Sequence, residues 1–212
     1  MAQRKLSVWL RASLTALITM FTLLAAPAVE AGGTPLEVQT VVAGSYHACT
    51  IFTGGYLKCW GYNNSGQLGL GDSQSRGAGP DEMGDNLPFV DLGTGRTAKS
   101  VALGLGHTCA ILDDDSLKCW GDAGNGRLGN GDASNSRGDQ PEEMGDNLPT
   151  VDLGSGRKAV AVAAGRAHTC ALLDNGDVKC WGANTSGQLG LGDTDDRGDA
   201  PDEMGDNLEP VD

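Results

Sequence analysis

Residues 162–193 read VAAGRAHTCALLDNGDVKCWGANTSGQLGLGD, and close copies occur twice more in the chain. Residues 101–132 read VALGLGHTCAILDDDSLKCWGDAGNGRLGNGD, and residues 41–72 read VVAGSYHACTIFTGGYLKCWGYNNSGQLGLGD. His47, His107 and His168 fall in register, as do Trp60, Trp120 and Trp181. The segments between the copies also repeat: PDEMGDNLPFVDLGTGR, PEEMGDNLPTVDLGSGR and PDEMGDNLEPVD. One residue is added between Asp132 and Met144, in a Gly/Asp/Ser-rich stretch where a surface loop absorbs it. A fixed period of this length marks a repeat architecture. The chain therefore divides into an N-terminal segment, residues 1–31, and three repeats, residues 32–93, 94–154 and 155–212.

Within repeat 3, Ala159 to Ala163 is a β-prone run ending at Ala164-Gly165. His168 to Leu173 and Asp177 to Trp181 flank Asp174-Asn175-Gly176, a hairpin turn in which Gly supplies the positive φ. A fourth short strand is expected around Val90, Val151 and Val211. Residues 201–207 read as a loop or single helical turn around Met204. No helical periodicity of useful length follows residue 31.

Centring the hairpin on Asn175 places Leu172 opposite Val178 and Cys170 opposite Cys180. The same operation pairs Cys109 with Cys119 and Cys49 with Cys59. Opposed residues of two antiparallel strands lie close to disulfide reach. Six cysteines allow fifteen connectivities, and the repeat selects the one with a bridge in each hairpin. Buried free thiols and a zinc site are the alternatives, but the Cys-x9-Cys spacing is not that of a zinc ribbon.

Alternation puts His168, Cys170, Leu172, Val178 and Cys180 on one sheet face and Ala171, Leu173 and Trp181 on the other. Both faces carry apolar groups, so each sheet needs a neighbour on either side. The expected fold is all-β: three tandem four-stranded propeller-type blades, forming a partial, open propeller or one completed by oligomerisation.

The patterns V-A-x-G-x-x-H-x-C-A-L, V-K-C-W-G and N-x-S-G-Q-L-G-L-G-D resemble the repeat of the regulator of chromosome condensation family, over essentially the whole chain after residue 31. The resemblance implies a β-propeller, usually of seven blades. The paired cysteines and the RGD-x-P-x-E-M-G-D-N-L segment resemble secreted bacterial members, not the nuclear exchange factor. For the nuclear member the resemblance implies nucleotide exchange on a small GTPase and chromatin binding. No residue here matches an exchange-loop position.

The N-terminal segment has the grammar of a secretory signal peptide. Arg4, Lys5 and Arg11 precede an apolar stretch from Ala12 to Leu24, and Ala26-x-Ala28 and Val29-x-Ala31 are candidate cleavage sites. The expected location is secreted or periplasmic, with no membrane association after cleavage. No cysteine follows the apolar stretch to carry a lipoprotein anchor. The net charge is −13, and removing three basic residues against Glu30 deepens it. Such charge opposes binding to nucleic-acid phosphates.

No cofactor or metal is expected. Gly124-Asn125-Gly126-Arg127-Leu128-Gly129 has the letters of a dinucleotide fingerprint but lacks a following helix and recurs in neither other repeat. A histidine repeated in the same strand slot reads as structural, not catalytic, and no nucleophile, base and orienter set is visible. Asp193, Asp195, Asp196 and Asp199 form an acidic loop that reads as solvated and not as a calcium site. Arg137-Gly138-Asp139 and Arg197-Gly198-Asp199 read as turns and not as integrin motifs. Asn63-x-Ser65 and Asn184-x-Ser186 are glycosylation sequons. The leading functional reading is an exported, non-catalytic binding or scaffold protein for a protein or carbohydrate ligand. The alternatives are a guanine-nucleotide exchange factor by family analogy, or a propeller hydrolase. The chain is expected to homo-oligomerise or to be a fragment of a longer propeller.

Overall fold

The computed structural model describes residues 35–211; the expected signal segment, residues 1–31, lies outside the described residues. Three antiparallel sheets follow one another. The first holds β1 (Val38–Ala43), β2 (His47–Phe52) and β3 (Leu57–Gly61). The second holds β4 (Ala98–Leu103), β5 (His107–Leu112) and β6 (Leu117–Gly121). The third holds β7 (Ala159–Ala164), β8 (His168–Leu173) and β9 (Val178–Gly182). There is no α-helix among the described residues, and none is long and apolar enough to cross a membrane. The expected single helical turn is a 3-10 turn in each repeat, Gly84–Asn86, Gly145–Asn147 and Gly205–Asn207.

The hairpin register is the one expected. Leu172 pairs with Val178, Cys170 with Cys180, Cys109 with Cys119 and Cys49 with Cys59. All three cysteine pairs are disulfides across directly opposed residues, with Cα atoms 4.1 Å apart. In the tight turn, Gly55 and Gly176 take positive φ, and Asp115 takes the same conformation in repeat 2. The same step of the first pair of strands carries a bulge in every sheet.

The expected fourth strand is not a strand. Each sheet has three, and the fourth position is held by one backbone hydrogen bond, from Val90 to Leu57, Val151 to Leu117 and Val211 to Val178. The next donor position is Pro88 or Pro149 in repeats 1 and 2, which has no N–H, and Glu209 in repeat 3, which forms no ladder bond either. At the other end of β3, β6 and β9 an isolated bridge joins Gly61 to Arg76, Gly121 to Arg137 and Gly182 to Arg197.

The sheets stack face to face in chain order, as the two-faced apolar pattern requires. One cluster joins Cys49, Ile51, Leu57 and Cys59 to Val101, Ala110, Leu112 and Trp120. The next joins Cys109, Ile111, Leu117 and Cys119 to Ala171, Leu173 and Trp181. The turns after the first strands touch the next sheet. Ser45 donates to the Gly104 carbonyl and Leu105 to the Arg166 carbonyl. A Cβ on Gly44 would lie 2.8 Å from Gly104 O, and one on Gly104 would lie 2.6 Å from Gly165 O. These glycines let successive sheets come together at this edge, as the blades of a propeller do.

Candidate functional site: the repeat junctions and the aromatic surface of repeat 1

The three histidines start β2, β5 and β8, and His47 and His107 point across the junction to the following sheet. His47 Nε2 lies 2.7 Å from Thr108 Oγ1, and His107 Nε2 lies 3.0 Å from Thr169 Oγ1. Thr108 donates its hydroxyl proton to the Gln67 carbonyl at 2.8 Å, and Thr169 donates to the Arg127 carbonyl at 2.9 Å. A hydroxyl has one proton, so each ring is the donor and carries its proton on Nε2. The Nδ1 atoms of His47 and His107 are buried without a partner. The same carbonyls accept a second bond, from Trp120 Nε1 and Trp181 Nε1, each at 3.1 Å. Histidine, threonine, carbonyl and tryptophan thus form one buried polar link per junction. It is satisfied except for an acceptor lone pair that the neutral ring can leave unpaired.

Burial holds these rings neutral. It pushes His47 down to about 4 and is the main cause that brings His107 to about 3, with the Arg127 charge adding to the effect. A group so depressed is a poor general base near neutral pH.

Lys118 and Lys179 of the L-K-C-W and V-K-C-W motifs are also buried. Lys118 Nζ donates to the carbonyls of Leu92 and Gly145, and Lys179 Nζ to those of Leu153 and Gly205. Burial pushes Lys118 down from its ordinary range. The E-M-G-D-N segments complete the junction. Asp146 accepts from the amide and hydroxyl of Thr94, and Asp206 from those of Ser155. Those hydrogen bonds hold both carboxyls below the usual range. Gly145 also donates to the Asp91 carbonyl and Gly205 to that of Asp152, so the repeated linking sequence is a clasp onto the preceding repeat.

The other polar motifs are consumed internally. Asn63 and Asn184, the sequon asparagines, are fully buried. Their amides donate to the carbonyls of Asp72 and Asp193, and their oxygens accept from the amides of Leu68 and Leu189. In the folded chain neither can accept a glycan. In the acidic loop, Asp193 pairs with Arg197 at 2.6 Å, and Asp196 accepts from the Asn184 amide and from Asn125. Asp199 is raised by burial and by the neighbouring Glu203. Among the described residues no group of three or more His, Cys, Asp or Glu side chains is placed to hold a metal. The Arg-Gly-Asp segments lie against the preceding repeat: Gly71 donates to the Gly138 carbonyl and Gly131 to the Gly198 carbonyl. Gly124–Gly126, the start of the fingerprint-like run, is a 3-10 turn with Asn125 at positive φ.

Among the described residues, the exposed aromatic side chains all lie in repeat 1. Tyr46, Tyr56 and Tyr62 are the only tyrosines of the chain, and Phe52 and Phe89 are its only phenylalanines after residue 31. Their counterparts are Gly106 and Ala167, Ser116 and Asp177, Asp122 and Ala183, Leu112 and Leu173, and Thr150 and Pro210. The fold therefore does not need them. Tyr46 is 66% exposed, and Tyr56, Tyr62 and Phe89 are also exposed. Tyr46 and Tyr62 form a tilted pair with centroids 6.1 Å apart. Phe89 packs on Tyr56 and Phe52, with Lys58 Nζ 4.5 Å over its ring. Phe89 also borders a rim cleft of about 380 Å³ with Pro88, Pro141 and Met144. A matching cleft of about 220 Å³ opens between repeats 2 and 3, beside Pro149, Pro201 and Met204.

Sequence motifs match the same architecture. The profile described as "Regulator of chromosome condensation (RCC1) repeat" matches residues 55–111 and 114–172, and a second profile with that description matches 38–67, 98–127 and 159–188. The chain belongs to the regulator of chromosome condensation repeat family. It is 31% identical over 163 residues to the ultraviolet-B receptor UVR8 of Arabidopsis thaliana, covering 76% of this chain and 33% of that one. It is 32% identical over 162 residues to the X-linked retinitis pigmentosa GTPase regulator homolog of Caenorhabditis elegans, covering 76% of this chain and 10% of that one. The chain thus spans a third or less of these relatives. Among solved structures it is similar to Prp20p from Saccharomyces cerevisiae, with TM-score 0.57, 20% identity, and coverage of 82% of this chain and 37% of that one. It is likewise similar to yeast RCC1 (Prp20) bound to Kap60, with TM-score 0.56, 23% identity, and coverage of 77% and 36%. These last two likenesses show the fold alone.

Proposed function

We propose that this family member is an exported, non-catalytic binding protein that recognises a protein ligand through repeat 1. The observation that carries the reading is the confinement of exposed aromatics to that repeat, where equivalent positions elsewhere are small or polar. Exposed tyrosines and phenylalanines that the fold does not require are the usual anchors of interfaces. Export is supported by the signal-like N-terminal segment and by three disulfides, which persist in oxidising compartments. A protein ligand is supported by analogy with yeast Prp20, which shares the fold and whose structures concern binding to Kap60, Gsp1p and histones. The tilted, exposed Tyr46–Tyr62 pair favours one second reading, a carbohydrate stacked on those rings.

Nucleotide exchange rests on family analogy alone. A hydrolase would need a distinctive carboxylate cluster where the sheets converge. One end of that convergence carries Gly44, Gly104 and Gly165, and at the other Asp113 and Asp174 are paired with Arg96 and Arg157. The test is capture on the immobilised, oxidised chain from its own extracellular or periplasmic fluid, with glycans assayed in parallel. The double variants Tyr46→Ala/Tyr62→Ala and Tyr56→Ala/Phe89→Ala are compared with the parent. Loss of the retained ligand in either variant is expected. Retention of everything by both would refute the reading.

A further inference from the structure

The two rim clefts share a frame and differ in what fills it. Pro88, Pro141 and Met144 in the first cleft correspond to Pro149, Pro201 and Met204 in the second. Leu70 and Phe89, however, stand where the second cleft has Asn130 and Thr150. Repeat 2 folds with the polar pair, so the fold does not require the apolar one. Phe89 is exposed, and so is Thr150 in the middle repeat, which is packed against a sheet on either side. The position therefore faces solvent whether or not another sheet precedes it. An exposed aromatic ring beside a cleft of about 380 Å³ suits a bulky apolar side chain.

The charges describe the rest of the occupant. Asp91 and Glu142 line the first cleft, and no Lys, Arg or His lines it. In the second cleft Arg137 stands among the lining with Asp152 and Asp202. Asp91 accepts from the Gly93 amide at 2.9 Å, whereas Glu142 is exposed and pairs with no cation among the described residues. Lys58 lies over the Phe89 ring, but its ammonium donates to the Gly84 carbonyl and does not line the cleft. The first cleft is therefore apolar and anionic, on a chain of net charge −13, and complements a cation. The Phe89 N–H and carbonyl make no hydrogen bond among the described residues, so an extended backbone finds a donor and an acceptor beside the ring.

We propose that the cleft between repeats 1 and 2 binds an extended polypeptide segment that carries a bulky apolar side chain flanked by lysine or arginine. The apolar side chain lies against Leu70 and Phe89, and the flanking cations face Asp91 and Glu142. This rests on the reading of repeat 1 as the repeat that recognises a protein ligand, and it names the part of that ligand the cleft selects. The cleft between repeats 2 and 3, with Asn130, Thr150 and Arg137, is the internal control: the same frame without the apolar pair and with a cation of its own.

The probe is a blocked, fluorescein-labelled peptide with a central Phe-Leu pair flanked on each side by two lysines. Fluorescence anisotropy reads its binding to the full, oxidised chain. Changing every lysine of the peptide to glutamate, or Phe-Leu to Ser-Ser, is expected to weaken binding at least ~10-fold. Leu70→Asn/Phe89→Thr, which copies the second cleft into the first, is expected to lose as much. Glu142→Gln is expected to weaken binding several-fold and to flatten its dependence on salt. Circular dichroism and non-reducing peptide mapping establish that each variant is folded, and Phe89→Thr alone serves if the double change does not fold. Tyr46→Ala/Tyr62→Ala is expected to leave peptide binding unchanged. No binding, equal binding of the lysine and glutamate peptides, or binding indifferent to Leu70, Phe89 and Glu142 would overturn the proposal. A natural ligand captured by the parent and lost with Tyr46→Ala/Tyr62→Ala would in that case leave the repeat 1 reading standing without the cleft.

Discussion

His47 Nε2 donates to Thr108 Oγ1 across 2.7 Å, although the two residues are 61 positions apart in sequence. Both side chains are buried, and the hydroxyl passes the bond on to the Gln67 carbonyl. Thr108→Val keeps the shape and removes the hydroxyl, leaving a buried N–H and a carbonyl with one partner fewer. The loss should be about 1–3 kcal/mol, lowering the thermal midpoint by several degrees. Ala48 carries no such link, so Ala48→Val should have a much smaller effect. Chemical unfolding of the oxidised chain measures both, and equal losses would show that the relay does not stabilise the junction.

The tryptophans separate covered from uncovered faces. Trp120 and Trp181 are fully buried against the preceding repeat, whereas Trp60, in the same strand slot, is only part-buried. Trp120→Ala should cost about 3–5 kcal/mol and Trp60→Ala clearly less. Unfolding midpoints in denaturant give the comparison. Similar losses at the two sites would mean that the outward face of repeat 1 is covered in solution.

Each disulfide closes one hairpin, with its cysteines 10 positions apart. Replacing Cys109 and Cys119 together by alanine should cost about 2–3 kcal/mol by relaxing the unfolded chain. Non-reducing peptide mapping should recover Cys49–Cys59, Cys109–Cys119 and Cys170–Cys180. A bridge between repeats would contradict the register.

The register and the bridges were legible because a hairpin centred on Asn175 leaves no freedom: opposing residues follow from the turn. The two-faced packing was legible from simple alternation. The relay was not, because Thr108 and Thr169 look like ordinary strand residues and their partner is a backbone carbonyl. The substitution of alanine at position 48 was the one available signal. The roles of Lys118 and Asp146 were hidden for the same reason, since a lysine in a β-strand pattern reads as solvent-facing. The fourth strand was overread at Val90, Val151 and Val211 because the pattern there is β-prone, while only one backbone bond forms in each repeat; Pro88 and Pro149 remove the next donor in two of them, and Glu209 in the third does not donate. The sequons at Asn63 and Asn184 show that a tripeptide does not reveal its own burial: the amide a glycan would need is spent inside the turn.

Acid should weaken the junctions well before most carboxylates titrate. His47 and His107 are held down to about 4 and about 3, below the ordinary histidine value of 6.5. Between those limits the unfolded chain binds more protons than the folded one, so stability rises with pH and is lost as pH falls. The loss begins near pH 6.5 and reaches about 2 kcal/mol for each ring near pH 5. Asp199, raised by burial beside Glu203, acts with the opposite sign at lower pH, so Asp199→Asn should be carried as a background. Unfolding free energy measured from pH 7.5 to 5 should therefore fall steeply in the parent. Replacing His107 by glutamine should remove about half of that slope, because an amide can still donate to Thr169 but cannot take up the proton. A stability that is flat across this range would show that the buried rings are not held neutral, and the assigned Nε2–H link would fail with it.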